Sequence, residues 1–249
     1  MTLSPAQLAY RRRKMRLAAR RIQAAARGRQ ARRRSAAPLT RMIKRVSLNN
    51  SETKTASIRE DGINLYHNTT HYQYNLLLCQ QGETANPGTS IDANRIGNEV
   101  IARGIKLRFQ FISDPKRPNQ NIKLIVFKHE STEQPNDANF WVGPAGAGGN
   151  QNRMIDFPDT RNVTVVKTMM IQNQFVQPYQ SQILPVHNVY RDVWIPLNNR
   201  KVRYADNNGT LPKFTTYSFA VVCYDANNTF QSDILNYMSF TSRFYFKDP

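Results

Sequence analysis

Cysteine is nearly absent from this chain, with two, Cys79 and Cys223, among 249 residues. A disulfide-stapled scaffold is excluded. Each cysteine lies inside an apolar, strand-like run, so both read as buried free thiols of a reducing compartment. Long apolar runs are missing as well. The best, Leu76 to Cys79 and Phe219 to Tyr224, have the length of a strand, and no membrane-spanning helix is expected. No apolar h-region follows the early arginines, which argues against a secretory signal. The motifs of common enzyme chemistry are lacking too: there is no nucleophile elbow, Walker loop, HExxH or paired CxxC. The glycine-rich "GPAGAGG" at 143–149 has neither a following Lys-Ser/Thr nor a helix, so it reads as a flexible loop.

Metal-ligand spacing is also wanting. His67, His71, His129 and His187 are scattered, and the sequence around His67 and His71 favours a strand or turn, where a spacing of four gives no ligand fork. Asp156 and Asp159 around Pro158, or Asp206 with Asn207 and Asn208, are the oxygen-rich turns on which a structural calcium would sit at a subunit contact; solvated turns are the simpler reading. No catalytic residue, metal site or cofactor is assigned, and the chain is expected not to be an enzyme.

The most informative absence is acid in the first fifty residues. The whole chain holds 35 Lys+Arg and 17 Asp+Glu, a formal net charge of +18. Residues 1–50 contain 15 of the cations and no acid: Arg11, Arg12, Arg13, Lys14, Arg16, Arg20, Arg21, Arg27, Arg29, Arg32, Arg33, Arg34, Arg41, Lys44 and Arg45. The remaining 199 residues hold 20 basic and 17 acidic groups. A basic arm (1–50) is thus joined to a nearly neutral body (51–249). Such a block suits a polyanion, because each cation that pairs with a phosphate releases condensed counterions. An anionic membrane surface is the other candidate partner, without insertion. Nuclear import machinery can read the same arginines.

The arm itself has helical signals. Ser4 can cap, Pro5 suits the first helical position, and Gln7 can complete a capping box. Good helix formers run on to Ala26, so a helix is predicted over about 5–27, and a second short basic one over about 39–48. Leu8, Met15 and Ile22 recur every seven residues and form a narrow stripe for helix association, which arginine repulsion keeps frayed until a polyanion neutralises it. Ile22, Gln23, Arg27, Gly28 and Arg32 also satisfy the IQ pattern of calmodulin-binding helices. Five residues in an Arg- and Ala-rich segment match easily, however. The flanking RRRK (11–14) and RRR (32–34) exceed what an IQ helix needs and suit bidentate phosphate binding.

Beyond a polar linker the period changes. Segments 71–79, 100–112, 121–129, 162–171, 189–197, 201–204, 214–224 and 237–246 are rich in β-branched and aromatic residues, which makes eight predicted strands. Ile105, Leu107, Phe109 and Phe111 alternate with Lys106, Arg108 and Gln110, giving one buried face and one wet or partner-binding face. Turn chemistry marks Asp114-Pro115, Asn198-Asn199 and 206–209. Residues 130–160 form a long Pro/Gly/Asn-rich connection, the kind that commonly serves as a contact surface. Tyr72, Tyr74, Phe109, Phe111, Phe244 and Phe246 are either base-stacking platforms or, more simply, core. Forty per cent hydrophobic content supports an ordinary core, and the expected fold is all-β, an eight-stranded antiparallel jelly-roll sandwich with a partly helical basic arm.

An Arg-rich arm on such a body resembles the single-jelly-roll capsid proteins of very small icosahedral viruses, of the satellite tobacco necrosis virus type and its relatives among circular Rep-encoding single-stranded DNA viruses (circovirus-like). The resemblance is carried by "TRMIKRVSLNN" (40–50), by "NRIGNEVIARGIKLRFQF" (94–111) with its R-x-G-N-x-V lead into a long basic-alternating strand, by "NIKLIVFKHE" (121–130), and by "TTYSFAVVCYDAN" (215–227) with the terminal strand. It implies a shell of roughly sixty subunits with the arms inside. Fifteen arm charges each then sum to on the order of 900, suited to a single-stranded genome of about one to two thousand nucleotides, DNA rather than RNA. The location implied is the virion, with host nucleus and cytoplasm during assembly. Two other readings stand beside it: a cellular nucleic-acid-binding β-sandwich protein of ribosomal or chromatin type, and a calmodulin-binding adaptor using 22–32.

Overall fold

A computed structural model describes residues 52–82, 94–114, 120–142, 152–173, 188–205, 209–225, 230 and 232–248. The fifteen arm cations, Leu8, Met15, Ile22, both arm helices, the IQ-like stretch, 143–149, His187 and 206–208 lie outside these residues.

Among the described residues the strands in chain order are β1 (Lys54–Tyr66), β2 (Thr70–Gln73), β3 (Gln80–Gln81), β4 (Asn94–Arg95), β5 (Glu99–Ser113), β6 (Gln120–Glu130), β7 (Thr164–Asn173), β8 (Asn188–Arg203), β9 (Thr215–Tyr224) and β10 (Ile234–Lys247), with one short helix, α1 (Asp137–Phe140), between β6 and β7. Eight of the strands build two four-stranded antiparallel sheets. Sheet one has the order β1-β10-β5-β8 and sheet two the order β2-β9-β6-β7. Following the chain through these eight, every connection changes sheet except the one from β6 to β7. That path is the rolled double Greek key of a jelly-roll sandwich, and the expected fold class is the observed one.

Between the sheets lies the main core. The alternation read in β5 holds: Ile105, Leu107, Phe109 and Phe111 are buried, while Arg108 is exposed. At its centre Phe109 and Phe240 of sheet one meet the edge of Phe219 of sheet two, with ring centroids 5.0 and 4.9 Å apart. Cys79 and Cys223 are both buried free thiols, as expected. Burial pushes the Cys79 thiol up to about 12.

Three segments differ from the sequence reading. The supposed polar linker contains β1, thirteen residues long. Its alternation (Ala56, Ile58) is broken by a bulge between Glu60 and Ile63, where Gly62 takes φ 70°, so the period of two is lost midway. Asn198-Asn199 is no turn between two strands. Both residues adopt left-handed backbone (φ 52° and 57°) inside the single strand β8, where Leu197, Asn198 and Asn199 oppose Arg103 alone. Asparagine tolerates that conformation, and the strand continues through a bulge of two extra residues. Conversely, Leu76 to Cys79 is not strand: it is a turn with Leu76 and Leu77 buried.

Sheet two is covered on its outer side. The described part of the 130–160 connection lies over it, and Phe140, Trp141 and Val163 form a second small core with Ile125, Phe127, Ala220 and Val222. Asn136 caps α1 with a reciprocal capping box to Asn139. This explains why β6 and β9 read as continuous apolar runs: both of their faces are buried.

Candidate functional surface

Of the two readings of the strand aromatics, core and base-stacking platform, the structure supports the simpler one. Phe109, Phe111, Phe244 and Phe246 are fully buried in the main core. Tyr72 and Tyr74 stack on each other at 5.9 Å, and Tyr72 also meets Phe140 at 5.3 Å. Tyr72 Oη donates to Asp137 Oδ1 (2.7 Å) and Tyr74 Oη donates to the Pro135 carbonyl, so this pair clamps the connection onto sheet two.

The oxygen-rich turn at 152–159 holds internal cations. Lys123 projects from β6 into it, and its ammonium donates to the carbonyls of Arg153 (3.3 Å), Met154 (3.0 Å) and Asp156 (2.7 Å). The same ammonium lies 5.2 Å from the Trp141 ring centre, and Arg153 sits 5.5 Å from it. Burial holds the Lys123 pKa below the usual lysine value, with Asp156 pulling the other way. Asp156 pairs with Arg153 (3.3 Å), and Asp159 takes a forked bond from Arg161 (2.6 Å at its shortest) that holds its carboxyl below the ordinary range. The carboxylates and carbonyls of this turn are therefore already satisfied by side-chain cations. His67 packs on Tyr224 (4.8 Å) while His71 lies in β2.

The R-x-G-N-x-V stretch has a local role. Arg95 is buried beneath Tyr204 (4.4 Å to the ring centre), and its guanidinium donates to Gly97 O, to Asn98 Oδ1 (3.3 Å) and to Gly209 O (2.7 Å). Gly97, at φ 78°, makes the turn that brings its carbonyl under the guanidinium. The motif thus ties the start of β5 to the segment between β8 and β9.

Among the described residues nothing lies over the outer face of sheet one, in contrast to the covered sheet two. Strand register places its residues in rows: Ser57, Arg243, Lys106 and Trp194 in one, and Arg59, Thr241, Arg108 and Asp192 in the next. Asp192 Oδ2 lies between Lys106 Nζ (3.5 Å) and Arg108 Nε (3.3 Å), and Arg59 Nε donates to Asp61 (2.9 Å). Arg243 is exposed and forms no ion pair among the described residues. Two rings stand out from β8. Tyr190 is 64% exposed and accepts from Gln110 Nε2 (3.0 Å); Trp194 is 48% exposed and packs against Tyr245 at 5.6 Å. The indole can lie on the sheet because Gly104 is beneath it: a Cβ there would fall 2.3 Å from Trp194 Cζ2. A cleft of about 400 Å³ opens among Arg59, Arg108, Gln110, Tyr190, Asp192 and Thr241.

A second surface is apolar. Val142, Ile155 and Phe157 are 57, 71 and 78% exposed; the Val142 N–H bond to Phe157 O (2.9 Å) joins two of them, and Ile155 is two residues from Phe157. Exposed apolar groups of this kind mark contact sites. Nothing in local sequence separates them from the buried Phe140 and Trp141 a few residues away. Tyr190 and Trp194 are different: their two-residue phase against Val189, Val193 and Ile195 in β8 sets them on the face opposite the core.

No protein-family model matches the chain, and no curated protein sequence matches it. Among solved structures it is similar to a chain of Desmodium yellow mottle tymovirus (8% identity, 80% of this chain and 89% of that one, TM-score 0.35). It is also similar to the IBDV viral particle (9%, 80% and 40%, 0.23) and to β-fructofuranosidase from Schwanniomyces occidentalis (6%, 77% and 33%, 0.27). Viral proteins and an enzyme are matched alike at this level of overlap, so function rests on the chain's own residues.

Proposed function

We propose that this chain is a structural, non-enzymatic capsid protein that assembles with copies of itself into a small icosahedral shell of roughly sixty subunits and packages a single-stranded genome. The observation that carries the reading is the partition of one chain into a 50-residue segment with 15 cations and no acid, and a jelly-roll body of nearly balanced charge. Jelly rolls serve as rigid tiles in viral shells. The body offers Val142, Ile155 and Phe157 for contact with a neighbouring copy, while the arm neutralises the polymer without reading its sequence. Leu8, Met15 and Ile22 associate arms of neighbouring subunits, and the fifteen arm cations bind phosphate. DNA is the favoured genome, the virion the location, and nuclear import a further use of the arginines.

The deciding experiment is size-exclusion chromatography with light scattering, with and without nuclease, on the full chain and on a chain starting at Ser51. The expected result is a particle on the order of sixty times the 28.7 kDa subunit mass that protects nucleic acid, and whose protected content is lost with the arm. A monomer or dimer that merely binds nucleic acid would overturn the reading and favour a cellular nucleic-acid-binding protein.

A further inference from the structure

We propose that the body has a nucleic-acid site of its own, on the outer face of sheet one, that takes a segment of single-stranded nucleic acid. One base sits in the cleft against Tyr190, its flanking phosphates meet Arg59 and Arg108, and the neighbouring stretch runs over Trp194, with Lys106 and then Arg243 beside it in the same row. The identity of the polymer rests on the packaging reading; the site itself rests on geometry.

Single strands bind where a cationic track runs beside rings on which bases stack. The arm supplies only the first ingredient. Residues 1–50 contain one aromatic residue, Tyr10. Sheet one supplies both, on rigid strands. Tyr190 and Trp194 lie four residues apart on the outward side of β8, about 13 Å along it, and the cations flank them on β5, β10 and β1. The cleft of about 400 Å³ beside Tyr190 is of a size that takes a small-molecule-sized group, and its lining combines an exposed ring, two guanidiniums, an amide, the hydroxyls of Ser239 and Thr241, and the carboxylates of Asp61 and Asp192.

Asp61 and Asp192 are the opposing charges in this face. Both make exposed ion pairs, which are weak and exchange readily. They hold the guanidiniums in place, and a phosphate can replace either carboxylate as the fork's partner. Lys106, Arg108, Arg59 and Arg243 against Asp61 and Asp192 leave the face net positive. An extended acidic peptide would meet the same charges but would leave the two rings without stacking partners, so nucleic acid is the favoured occupant.

The test is ultraviolet crosslinking of the full-length protein to oligothymidylate and to oligouridylate, with the crosslinked peptides identified by mass spectrometry. The expected result is crosslinks both in residues 1–50 and in the segment containing Tyr190 and Trp194. In the variant R108A/Y190A the body crosslink at Trp194 falls about fivefold or more, while arm crosslinks persist and the unfolding midpoint stays put. Crosslinks confined to the arm would overturn the proposal, as would body crosslinks that survive the variant or are removed by excess polyglutamate but not by excess oligonucleotide. Chromatography of the same samples separates the two readings. Trp194 crosslinks on a chain that forms no particle would sink the shell and leave the cleft, and particles crosslinked only through the arm would do the reverse.

Discussion

The two sheets of the sandwich share a core and treat their outer faces in opposite ways. Sheet two is roofed by the connection between β6 and β7, pinned by Phe140, Trp141 and the Lys123 ammonium. Sheet one leaves its outer face open, with cations and rings standing in rows. A covered face can hold apolar side chains and must satisfy every polar one it buries. An open face carries no such demand, and its residues are free to serve a partner. Stability should therefore reside in the roof and binding in the open face, and each substitution below tests one side of that division.

The largest effect is expected at Phe140. Its ring is fully buried and meets Tyr72, Phe127 and Trp141, at 4.8 Å for Phe127. Phe140→Ala should cost about 3–5 kcal/mol, read as a lower denaturant midpoint, with protease cleavage appearing in 131–142. A change under about 1 kcal/mol would mean that the roof is not part of the cooperative unit.

Next comes Lys123→Met, which keeps the apolar stem and removes the ammonium. Three carbonyls lose their donor, and leaving buried acceptors unpaired costs about 1–3 kcal/mol. Hydrogen exchange should show faster opening at 152–157 and little change in β5. Added calcium should not restore the midpoint, because it is the Lys123 ammonium that donates to these carbonyls.

How much of this was legible in the sequence depends on which face a residue serves. β5, with one dry and one wet face, announced itself through strict alternation, and so did the all-β class. β6 was found as a strand, but its second buried face was invisible, because Lys123 and His129 look like solvent residues until the roof is placed over them. β1 was lost because the Gly62 bulge breaks its period, and the Asn198-Asn199 pair mimicked a turn because the local chemistry of a left-handed bulge and of a turn is the same. The arm cations were plain in composition and lie outside the described residues. Tyr190 and Trp194 were not recognised, since an exposed ring and a core ring differ only in phase.

On the open face, Gly104→Ala tests the seat of the indole. The new methyl would meet Trp194 at 2.3 Å and the Ile195 carbonyl at 2.9 Å, so the ring must lift and β8 must shift from β5. We expect a loss of about 1–3 kcal/mol and a red-shifted Trp194 emission in a Trp141→Phe background. An unshifted spectrum would show that the indole does not rest on Gly104.

Acidification should act through sheet two, which carries His71 and His129. Burial depresses both pKa values below the ordinary 6.5, opposed by Glu60 for His71 and by the carbonyls of Glu130 and Glu133 for His129. In the neutral ring His129 Nδ1 donates to those carbonyls (2.6 Å each) and Nε2 accepts from Ser218 Oγ (2.8 Å). Below pH 6.5 the unfolded chain therefore binds more protons than the native one. The contribution of these rings is complete above about pH 6.5 and is lost as pH falls toward their depressed native values. Glu99 and Asp159, held below their ordinary values by Lys201, Arg203 and Arg161, act only at lower pH. The unfolding midpoint should thus fall between pH 7.5 and 5.5, and less so in His129→Gln. A flat profile would place both imidazoles in contact with water.

The smallest effect on stability is expected at the residue given the most work in binding. Tyr190 leaves nearly two thirds of its surface in water, and its hydroxyl takes part in one hydrogen bond, accepted from Gln110. Tyr190→Ala should move the unfolding free energy by no more than about 0.5 kcal/mol, and Gln110 finds water in exchange. Paired with Phe140→Ala the comparison is sharp: one variant loses stability and keeps the sheet-one crosslink as long as it is folded, the other weakens the crosslink and keeps its midpoint. If Tyr190→Ala also lowered the midpoint by a kilocalorie or more, the open face would be carrying structural load. The division of labour between the sheets would then fail, because the ring could no longer be free to serve a partner.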